Sequence, residues 1–381
     1  MATQAISPRI DAAVTAALAE KRVVGAVSVI LSDGEVAHRK AYGLADREAA
    51  SPMTPETLFR YSSLTKPIVT AAAMRMIETG DLTLDAPVTD WLPEFTPKLP
   101  DGSSPEISIR HLLTHTSGLA YDFMQPPGGP YQRNRVSAGA DQPGLSMDEE
   151  MRRLVAAGLT FPPGAAWYYS NAIDVLGAAM EKAGKASLQD IVAKLVTGPL
   201  GMADTAFHVV DRNRLAVPYS NSTPEPLRIP ETFQQPFLPE LAPISFDLRR
   251  AFDDTSFPSG GAGMTGSADD MARFLETIRT GGGDILSPAT AAAMMANQIG
   301  DKRVIFDPTG STGFGFGGAV MLNPAASGSP VSPGTWYWGG VWGHHWYVEP
   351  VRKLVIVTLT NTTLEGMSGQ LPRDIVAAAV A

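Results

Sequence analysis

The alternation of apolar and polar residues predicts strands at both ends of the chain. Apolar residues recur at helical spacing over residues 9–21, and the β-branched run that follows has the composition of a strand. Asp33-Gly34 then predicts a tight turn between two antiparallel strands. Strands are predicted over residues 23–31, 35–43, 313–322, 335–348 and 354–360, and a last helix over residues 372–381.

Between these ends the pattern changes to short helices and long proline-rich loops. The stretch 223–243 has much proline and little periodicity, which indicates an ordered loop that covers another part of the molecule. Helices are predicted over residues 108–114, 147–157, 172–183 and 187–196.

The order of these elements predicts an α/β (α+β) fold. One antiparallel sheet is built from both termini and flanked by helices, so residues 1–78 and 247–381 form a discontinuous sheet domain. Residues 79–246 form an inserted, mainly helical domain. The active site is expected at the interface of the two, where ligand cavities tend to lie.

Composition narrows the possible partners. The 381 residues carry a net charge of −9 and no basic cluster, so neither nucleic acid nor an anionic membrane is an expected partner. Cysteine is absent, which excludes disulfides, thiolate metal sites and cysteine nucleophiles. No secretion signal and no membrane-spanning apolar run are visible, so we expect a soluble, cytoplasmic protein. The oligomeric state cannot be read from the sequence.

The stretch Ser63-Leu64-Thr65-Lys66-Pro67 places a hydroxyl and an amine three residues apart. On a helix such residues lie on one face, so the two groups can share a proton. Proline is tolerated in the first turn of a helix and disrupts later turns, so Pro67 places the helix start close to Ser63. Free N–H groups at a helix start favour a developing negative charge. In a second interpretation, Ser62 or Ser63 is only the cap of that helix.

Other catalytic patterns are missing or weaker. The sequence has no Gly-x-Ser-x-Gly motif and no glycine-rich phosphate loop that joins a strand to a helix. His111 and His115 are four residues apart and could in principle hold a metal ion, but no carboxylate accompanies them at a recognisable spacing. We therefore expect neither a cofactor nor a metal.

A serine hydroxyl is a weak nucleophile until a base takes its proton, and a tyrosine is the candidate partner. Tyr169-Ser170-Asn171 follows a turn and directly precedes a predicted helix, so its phenol and amide can point into a cleft. Tyr219-Ser220-Asn221 repeats the triplet in a proline-rich loop that no helix follows. This context favours Tyr169 over Tyr219.

In order and spacing these motifs resemble those of the serine β-lactamase and penicillin-binding-protein superfamily. Within it, the chain most resembles the family VIII carboxylesterases, which are built like class C β-lactamases. The resemblance extends from about residue 10 to the C-terminus. Further matching stretches are residues 111–119, 199–202, 260–264 and 338–344.

The resemblance implies a role for each candidate residue. Ser63 would be the nucleophile that forms an acyl-enzyme, and Lys66 and Tyr169 would share its proton, with Tyr169 as the general base. Asn171 would orient the substrate or Lys66. The backbone N–H groups of Ser63 and Val341 would form the oxyanion hole.

Trp338-Gly339-Gly340 departs from the superfamily pattern, because β-lactamases and penicillin-binding proteins carry Lys-Thr-Gly at this place. That lysine normally meets the carboxylate of a penicillin or a peptidoglycan stem, whereas an indole offers apolar area and an N–H but no cation. Loss of one charge-assisted contact, about 1.5–3 kcal/mol, favours neutral esters over anionic lactams. Trp338, Gly339 and Gly340 would then line the substrate site.

The predicted function is therefore that of a serine hydrolase acting on short- to medium-chain carboxylic esters, with a small-molecule ester as its partner. Three alternatives stay open. The first is a β-lactamase or D,D-peptidase of the same fold. The second is an acyltransferase, in which an alcohol or amine displaces water, and the third is a binding or sensor module that is acylated without turnover.

Overall fold

The structure is a computed structural model that describes residues 2–381. Within those residues the chain forms fourteen strands: β1 (Gly25–Ser32), β2 (Glu35–Asp46), β3 (Ser51–Pro52), β4 (Phe59–Arg60), β5 (Tyr219–Ser220), β6 (Leu227–Arg228), β7 (Thr232–Gln235), β8 (Ile244–Asp247), β9 (Thr265–Gly266), β10 (Thr312–Phe314), β11 (Ala319–Met321), β12 (Trp336–Gly340), β13 (His344–Glu349) and β14 (Leu354–Thr360).

The same described range contains twelve α-helices, several of them a single turn. They are α1 (Ala2–Ala19), α2 (Thr65–Thr79), α3 (Ile109–Leu113), α4 (Pro130–Arg133), α5 (Met147–Ala157), α6 (Ala172–Gly184), α7 (Leu188–Val192), α8 (Ala268–Arg279), α9 (Pro288–Met294), α10 (Pro324–Ser327), α11 (Glu365–Ser368) and α12 (Leu371–Val380). No helix in this range is both long and apolar enough to cross a membrane.

One eight-stranded antiparallel sheet joins the two ends of the chain, as predicted. Its strand order is β10-β11-β12-β13-β14-β1-β2-β3. The pairing of β1 with β14 connects the N-terminal and C-terminal strands, with Val29 opposite Val357 and Ile30 opposite Ile356. The predicted fold, an antiparallel sheet from both termini with flanking helices, is therefore confirmed.

Both faces of the sheet are buried at its central strands β1 and β14. Side chains alternate between the faces along each strand, so Val29 and Val357 pack toward α8, whereas Ile30 and Ile356 pack toward α1 and α12. This explains why β1 and β14 read as continuous apolar runs rather than alternating ones.

Helix α2 lies in the interior between the sheet and the helices of the middle of the chain. It packs against α6 and α7, and α6 packs against α3. From Thr65 to Met74 every residue of α2 is buried, including Ile68, Val69 and the run Ala71-Ala72-Ala73. A helix that is apolar all round is stable only when other elements surround it, and this burial fixes the helix start that carries Ser63.

Two predicted strands are hairpins instead. Residues 335–348 hold β12 and β13, and residues 313–322 hold β10 and β11. Gly343 lies in the β12–β13 turn with φ +101°, a backbone conformation that residues with a side chain rarely adopt. The single-strand prediction was wrong because the apolar composition is the same on both sides of each turn.

The proline-rich stretch 223–243 also contains strands. It carries β6 and β7, and β7 pairs with β8. Because β8 spans Ile244–Asp247, this hairpin crosses the predicted domain boundary between residues 246 and 247. The division into two domains stays a prediction.

Candidate active site

Ser63 lies in a tight turn between a short strand and α2. Strand β4 pairs with β9, and residues Ser62–Leu64 form one 3₁₀ turn before α2 begins at Thr65. Ser62 has φ +50°, an unusual backbone conformation for a residue with a side chain. The N-cap residue of α2 is Leu64, which makes no side-chain hydrogen bond to the helix. Neither Ser62 nor Ser63 therefore caps α2.

Two side chains of the predicted site meet at the Ser63 hydroxyl, and a third contacts one of them. The Tyr169 hydroxyl donates to Ser63 Oγ over 2.7 Å, and Lys66 Nζ donates to the same oxygen over 3.2 Å. Trp338 Nε1 donates to the Tyr169 hydroxyl over 3.3 Å. A serine oxygen with an amine and a phenol in reach has two groups that can take its proton when it attacks a carbonyl.

Lys66 is buried, with 1% of its surface exposed. Its Nζ donates to the Gly261 carbonyl over 2.7 Å and lies 4.7 Å from the centre of the Tyr169 ring and 5.3 Å from that of Tyr121. Within residues 2–381 no carboxylate forms an ion pair with it. A carbonyl and two ring faces thus hold the amine beside Ser63 while leaving it free of a neutralising acid.

Trp338 reaches Tyr169 from strand β12, at a part of the strand that lies on an open edge of the sheet. Ser63, Lys66, Tyr169 and Trp338 are called the catalytic cluster below. The pairing of β12 with β11 ends at Tyr337, so Trp338, Gly339 and Gly340 have no strand partner on that side. A Cβ at Gly340 would lie 2.6 Å from the Tyr61 carbonyl oxygen, so this close approach of strand and turn requires glycine.

Ser63 and Val341 lie close to the contact between Tyr61 and Gly340, because they follow those two residues by two positions and one position. In the part of the chain that the structure describes, neither of their backbone N–H groups donates a hydrogen bond to another protein group. Val341 and Ser63 both line the same cavity. Two free donors at the rim of a cavity suit an oxyanion better than a neutral wall would.

The structure places Asn171 outside the cavity. It is fully buried, and its Nδ2 donates to the Ser137 carbonyl over 2.7 Å and to Asp174 Oδ2 over 3.1 Å. Asp174 in turn accepts from the Gly261 N–H over 3.0 Å. Asn171 forms no hydrogen bond with Lys66 among residues 2–381, because it precedes the buried helix α6 and its side chain turns into the protein interior. Its expected role in orienting the substrate stays a prediction.

Tyr219, the second tyrosine of the repeated triplet, lies elsewhere. Its hydroxyl donates to Glu48 over 2.6 Å and accepts from the Arg47 N–H over 2.8 Å. Burial, together with the hydrogen bond to Glu48, raises the pKa of Tyr219 to about 12. The structure therefore joins Tyr169, and not Tyr219, to Ser63.

Two neighbours of the cluster were not assigned a role from the sequence. Tyr121 packs on Tyr169 with ring centres 5.1 Å apart, and the ring centre of His115 lies 5.0 Å from that of Tyr169. Burial and the positive charge of Lys66 hold the pKa of His115 well below its usual range, so this ring is neutral. The sequence did contain a signal for His115, because this residue lies in the stretch 111–119 that matches the superfamily.

The cluster opens into a cavity of about 410 Å³. No Asp, Glu, Lys or Arg side chain of the described residues lines it, and burial lowers the pKa of His345 in its wall to about 4, so that ring is neutral too. Such a surface suits an uncharged, apolar ligand. Aromatic side chains form much of the wall: Tyr121, Phe123, Tyr169, Phe237, Phe246, Phe306, Tyr337, Trp338 and Tyr347.

Comparison with known proteins identifies the family of this chain. Residues 10–381 match the family model described as beta-lactamase. The chain belongs to the beta-lactamase family. It is 48% identical to esterase EstB of Burkholderia gladioli over 368 residues, which cover 96% of this chain and 93% of that protein.

Solved structures of similar proteins have the same fold. The chain resembles EstCE1, described as a hydrolase with promiscuous acyltransferase activity, with a TM-score of 0.94, 42% identity and complete coverage of both chains. Unliganded simvastatin synthase of Aspergillus terreus shares the fold alone, with a TM-score of 0.75 and 19% identity over 99% of this chain and 98% of that one. The protein is a carboxylic ester hydrolase, as predicted.

Proposed function

We propose that the protein is a serine carboxylesterase that hydrolyses short- to medium-chain carboxylic esters through an acyl-enzyme on Ser63. The observation that carries this proposal is the Ser63 oxygen held between Tyr169 and Lys66 at the wall of an uncharged, aromatic cavity. The cluster supplies a nucleophile with its proton acceptors, and the cavity supplies the surface for an apolar ester.

In the first half of the reaction, Ser63 Oγ attacks the ester carbonyl as its proton passes to the Tyr169–Lys66 pair. The carbonyl oxygen becomes an oxyanion that the N–H groups of Ser63 and Val341 can bind, and each such donor stabilises the transition state by a few kcal/mol. The indole N–H of Trp338 donates a hydrogen bond to the Tyr169 oxygen and so helps to hold that oxygen beside Ser63.

Collapse of this intermediate breaks the bond from the carbonyl carbon to the alcohol oxygen. The alcohol takes the proton from the Tyr169–Lys66 pair and leaves, and the acyl group stays on Ser63. Water then repeats the sequence as the attacking group, which releases the carboxylic acid and restores Ser63.

A neutral substrate is favoured by the lack of a cation in the cavity. Lys66 does not line the cavity, and its Nζ already donates to the Gly261 carbonyl and to Ser63 Oγ. An anionic lactam would therefore lose solvation of its carboxylate without gaining a partner. The lack of a cation therefore supports ester hydrolysis over the β-lactamase or D,D-peptidase alternative.

Acyl transfer is a second candidate, supported by the apolar wall, which disfavours water relative to an alcohol as the group that attacks the acyl-enzyme. EstCE1, which shares 42% identity, is described as having promiscuous acyltransferase activity. Addition of an alcohol during ester turnover, with analysis of products, separates the two outcomes: a new ester indicates transfer, and acid alone indicates hydrolysis.

The decisive experiment is a series of p-nitrophenyl esters of increasing acyl length, measured as kcat/KM for the wild type and Ser63→Ala. We expect a maximum at short to medium chains and no turnover by Ser63→Ala. A chromogenic cephalosporin, measured in parallel, should be a much poorer substrate. Wild-type rates from Ser63→Ala would end the proposal, and a burst without steady-state release would indicate an acylated sensor.

A further inference from the structure

Exposed apolar side chains gather where the cavity opens to solvent. Leu238 and Phe306 both line the cavity, yet 37% and 36% of their surfaces are exposed, so they lie at its mouth. Ile305, beside Phe306, is 43% exposed but does not line the cavity. Grouped exposed apolar residues of this kind usually mark a place where a ligand enters or binds.

Phe306 links the mouth to the catalytic groups. Its ring centre lies 5.8 Å from that of Tyr169 and 6.3 Å from that of Trp338. On its other side it meets Phe237, on the connection between β7 and β8, at 6.2 Å. Phe306 therefore forms the wall between Tyr169 and solvent, and Phe237 continues that wall toward the β7–β8 hairpin.

The chemistry decides which part of an ester meets this wall. In the proposed reaction, the alcohol oxygen must take a proton as its bond to the carbonyl carbon breaks. Of the Tyr169–Lys66 pair, only Tyr169 lines the cavity, so its oxygen, 2.7 Å from Ser63 Oγ, is the group that can deliver that proton. The alcohol portion must therefore lie on the Tyr169 side of Ser63, next to the ring of Phe306, while the acyl portion extends away from Tyr169.

We propose that Phe306 sets the size of the alcohol portion that the enzyme accepts. This inference rests on the proposed function, since it needs an ester bound for attack by Ser63. By microscopic reversibility, an alcohol that attacks the acyl-enzyme must enter along the same wall. Phe306 thus limits the acceptor in any acyl transfer as well as the leaving group in hydrolysis.

The test uses two ester series on the full-length protein. Acetates of methanol, cyclohexanol and menthol vary the alcohol at constant acyl group, and p-nitrophenyl acetate, butyrate and hexanoate vary the acyl group at constant alcohol. The variants are Phe306→Ala, Phe306→Trp and the control Ile305→Ala, which changes a neighbouring exposed apolar side chain outside the cavity. Thermal unfolding of each variant shows whether it is folded.

Phe306→Ala should raise kcat/KM for menthyl acetate relative to methyl acetate by about 10-fold, the size of effect that a pocket wall exerts. Phe306→Trp should lower the same ratio. Both variants should keep the wild-type order in the acyl series, and Ile305→Ala should change neither series.

Two results would overturn the inference. One is a changed acyl-length order with an unchanged alcohol ratio, which would place the acyl group against Phe306. The other is a ratio that neither substitution moves. If wild-type turnover still depends on Ser63 in either case, the proposed esterase function stands and only this inference fails.

Discussion

The triplet Tyr-Ser-Asn occurs twice in this chain, and its two copies have different surroundings. At residues 169–171 it lies directly before α6, among aromatic rings and against Ser63. At residues 219–221 it begins in the two-residue strand β5, and its tyrosine is bound to Glu48 and Arg47. The triplet alone does not determine the role of its tyrosine, because the secondary structure that follows the triplet determines where the phenol points.

The serine and asparagine of each copy show the same contrast. Ser170 Oγ bonds His115 Nδ1 over 3.1 Å in the interior, whereas Ser220 Oγ bonds Ser222 Oγ over 2.8 Å. Asn171 is fully buried, and Asn221 is exposed. In the first copy the protein core holds Ser170 and Asn171, so Tyr169 faces the cavity from a fixed backbone, which is the condition for holding a catalytic group in place.

Among changes to the two triplets, removal of the Tyr169 hydroxyl should have the largest effect on activity. Tyr169→Phe keeps the ring that packs on Lys66 and Trp338 but loses the bond to Ser63 Oγ. We expect kcat/KM for p-nitrophenyl butyrate to fall by about 10²–10⁴-fold, the usual contribution of a general acid–base group. Unchanged activity would remove Tyr169 from the mechanism.

The two regions should also differ in how their stability depends on pH. Asp122, next to Tyr121, is buried, and its Oδ1 has no hydrogen-bond partner among residues 2–381. Burial, with the nearby Asp141, raises the pKa of Asp122 to about 7. The folded state therefore holds a proton between about pH 4 and pH 7 that the unfolded state releases, so the free energy of unfolding falls as pH rises through this window.

Asp122→Asn removes the fall in free energy of unfolding with rising pH, because an amide does not titrate. Relative to the wild type, the variant should gain about 2–4 kcal/mol in free energy of unfolding between pH 4.5 and pH 8, measured by urea denaturation. Glu48, beside Tyr219, is the opposite case, because the Tyr219 hydroxyl lowers its pKa. Glu48→Gln should be less stable than the wild type at neutral pH and approach it in acid. Parallel pH profiles for the two variants would contradict this contrast.

The smallest effect on activity is expected at the second tyrosine. Tyr219→Phe removes a hydroxyl that Glu48 and the Arg47 N–H share, so the free energy of unfolding should fall by about 1 kcal/mol. Ester hydrolysis should stay at the wild-type rate in kcat/KM. A loss comparable to that of Tyr169→Phe would show that the wrong triplet had been assigned to the site.

Local features of the site could be predicted because short-range geometry determines them. Ser63 and Lys66 meet because they are three positions apart at a helix start, and Pro67 marks that start. The helix after residue 171 distinguished Tyr169 from Tyr219. The sheet from both termini followed from strand-like runs that lay at the two ends of the chain.

Contacts between distant segments could not be predicted in this way. Phe306 lies in a segment without periodicity, and only the folded chain brings its ring to Tyr169 and Phe237. Asn171 was expected in the cavity, but the carbonyl of Ser137 and the carboxylate of Asp174 draw its amide inward. Both depend on which segments pack together, and residue type and spacing carry little information about that.

The most direct test of the central claim is to locate the acyl group on the protein. The enzyme is mixed with p-nitrophenyl butyrate, quenched in acid during turnover and mapped by peptide mass spectrometry. We expect a butyryl group on Ser63 in the wild type and in Tyr219→Phe, much less of it in Tyr169→Phe, and none in Ser63→Ala. A butyryl group on Ser62 or elsewhere, with turnover kept by Ser63→Ala, would contradict the account.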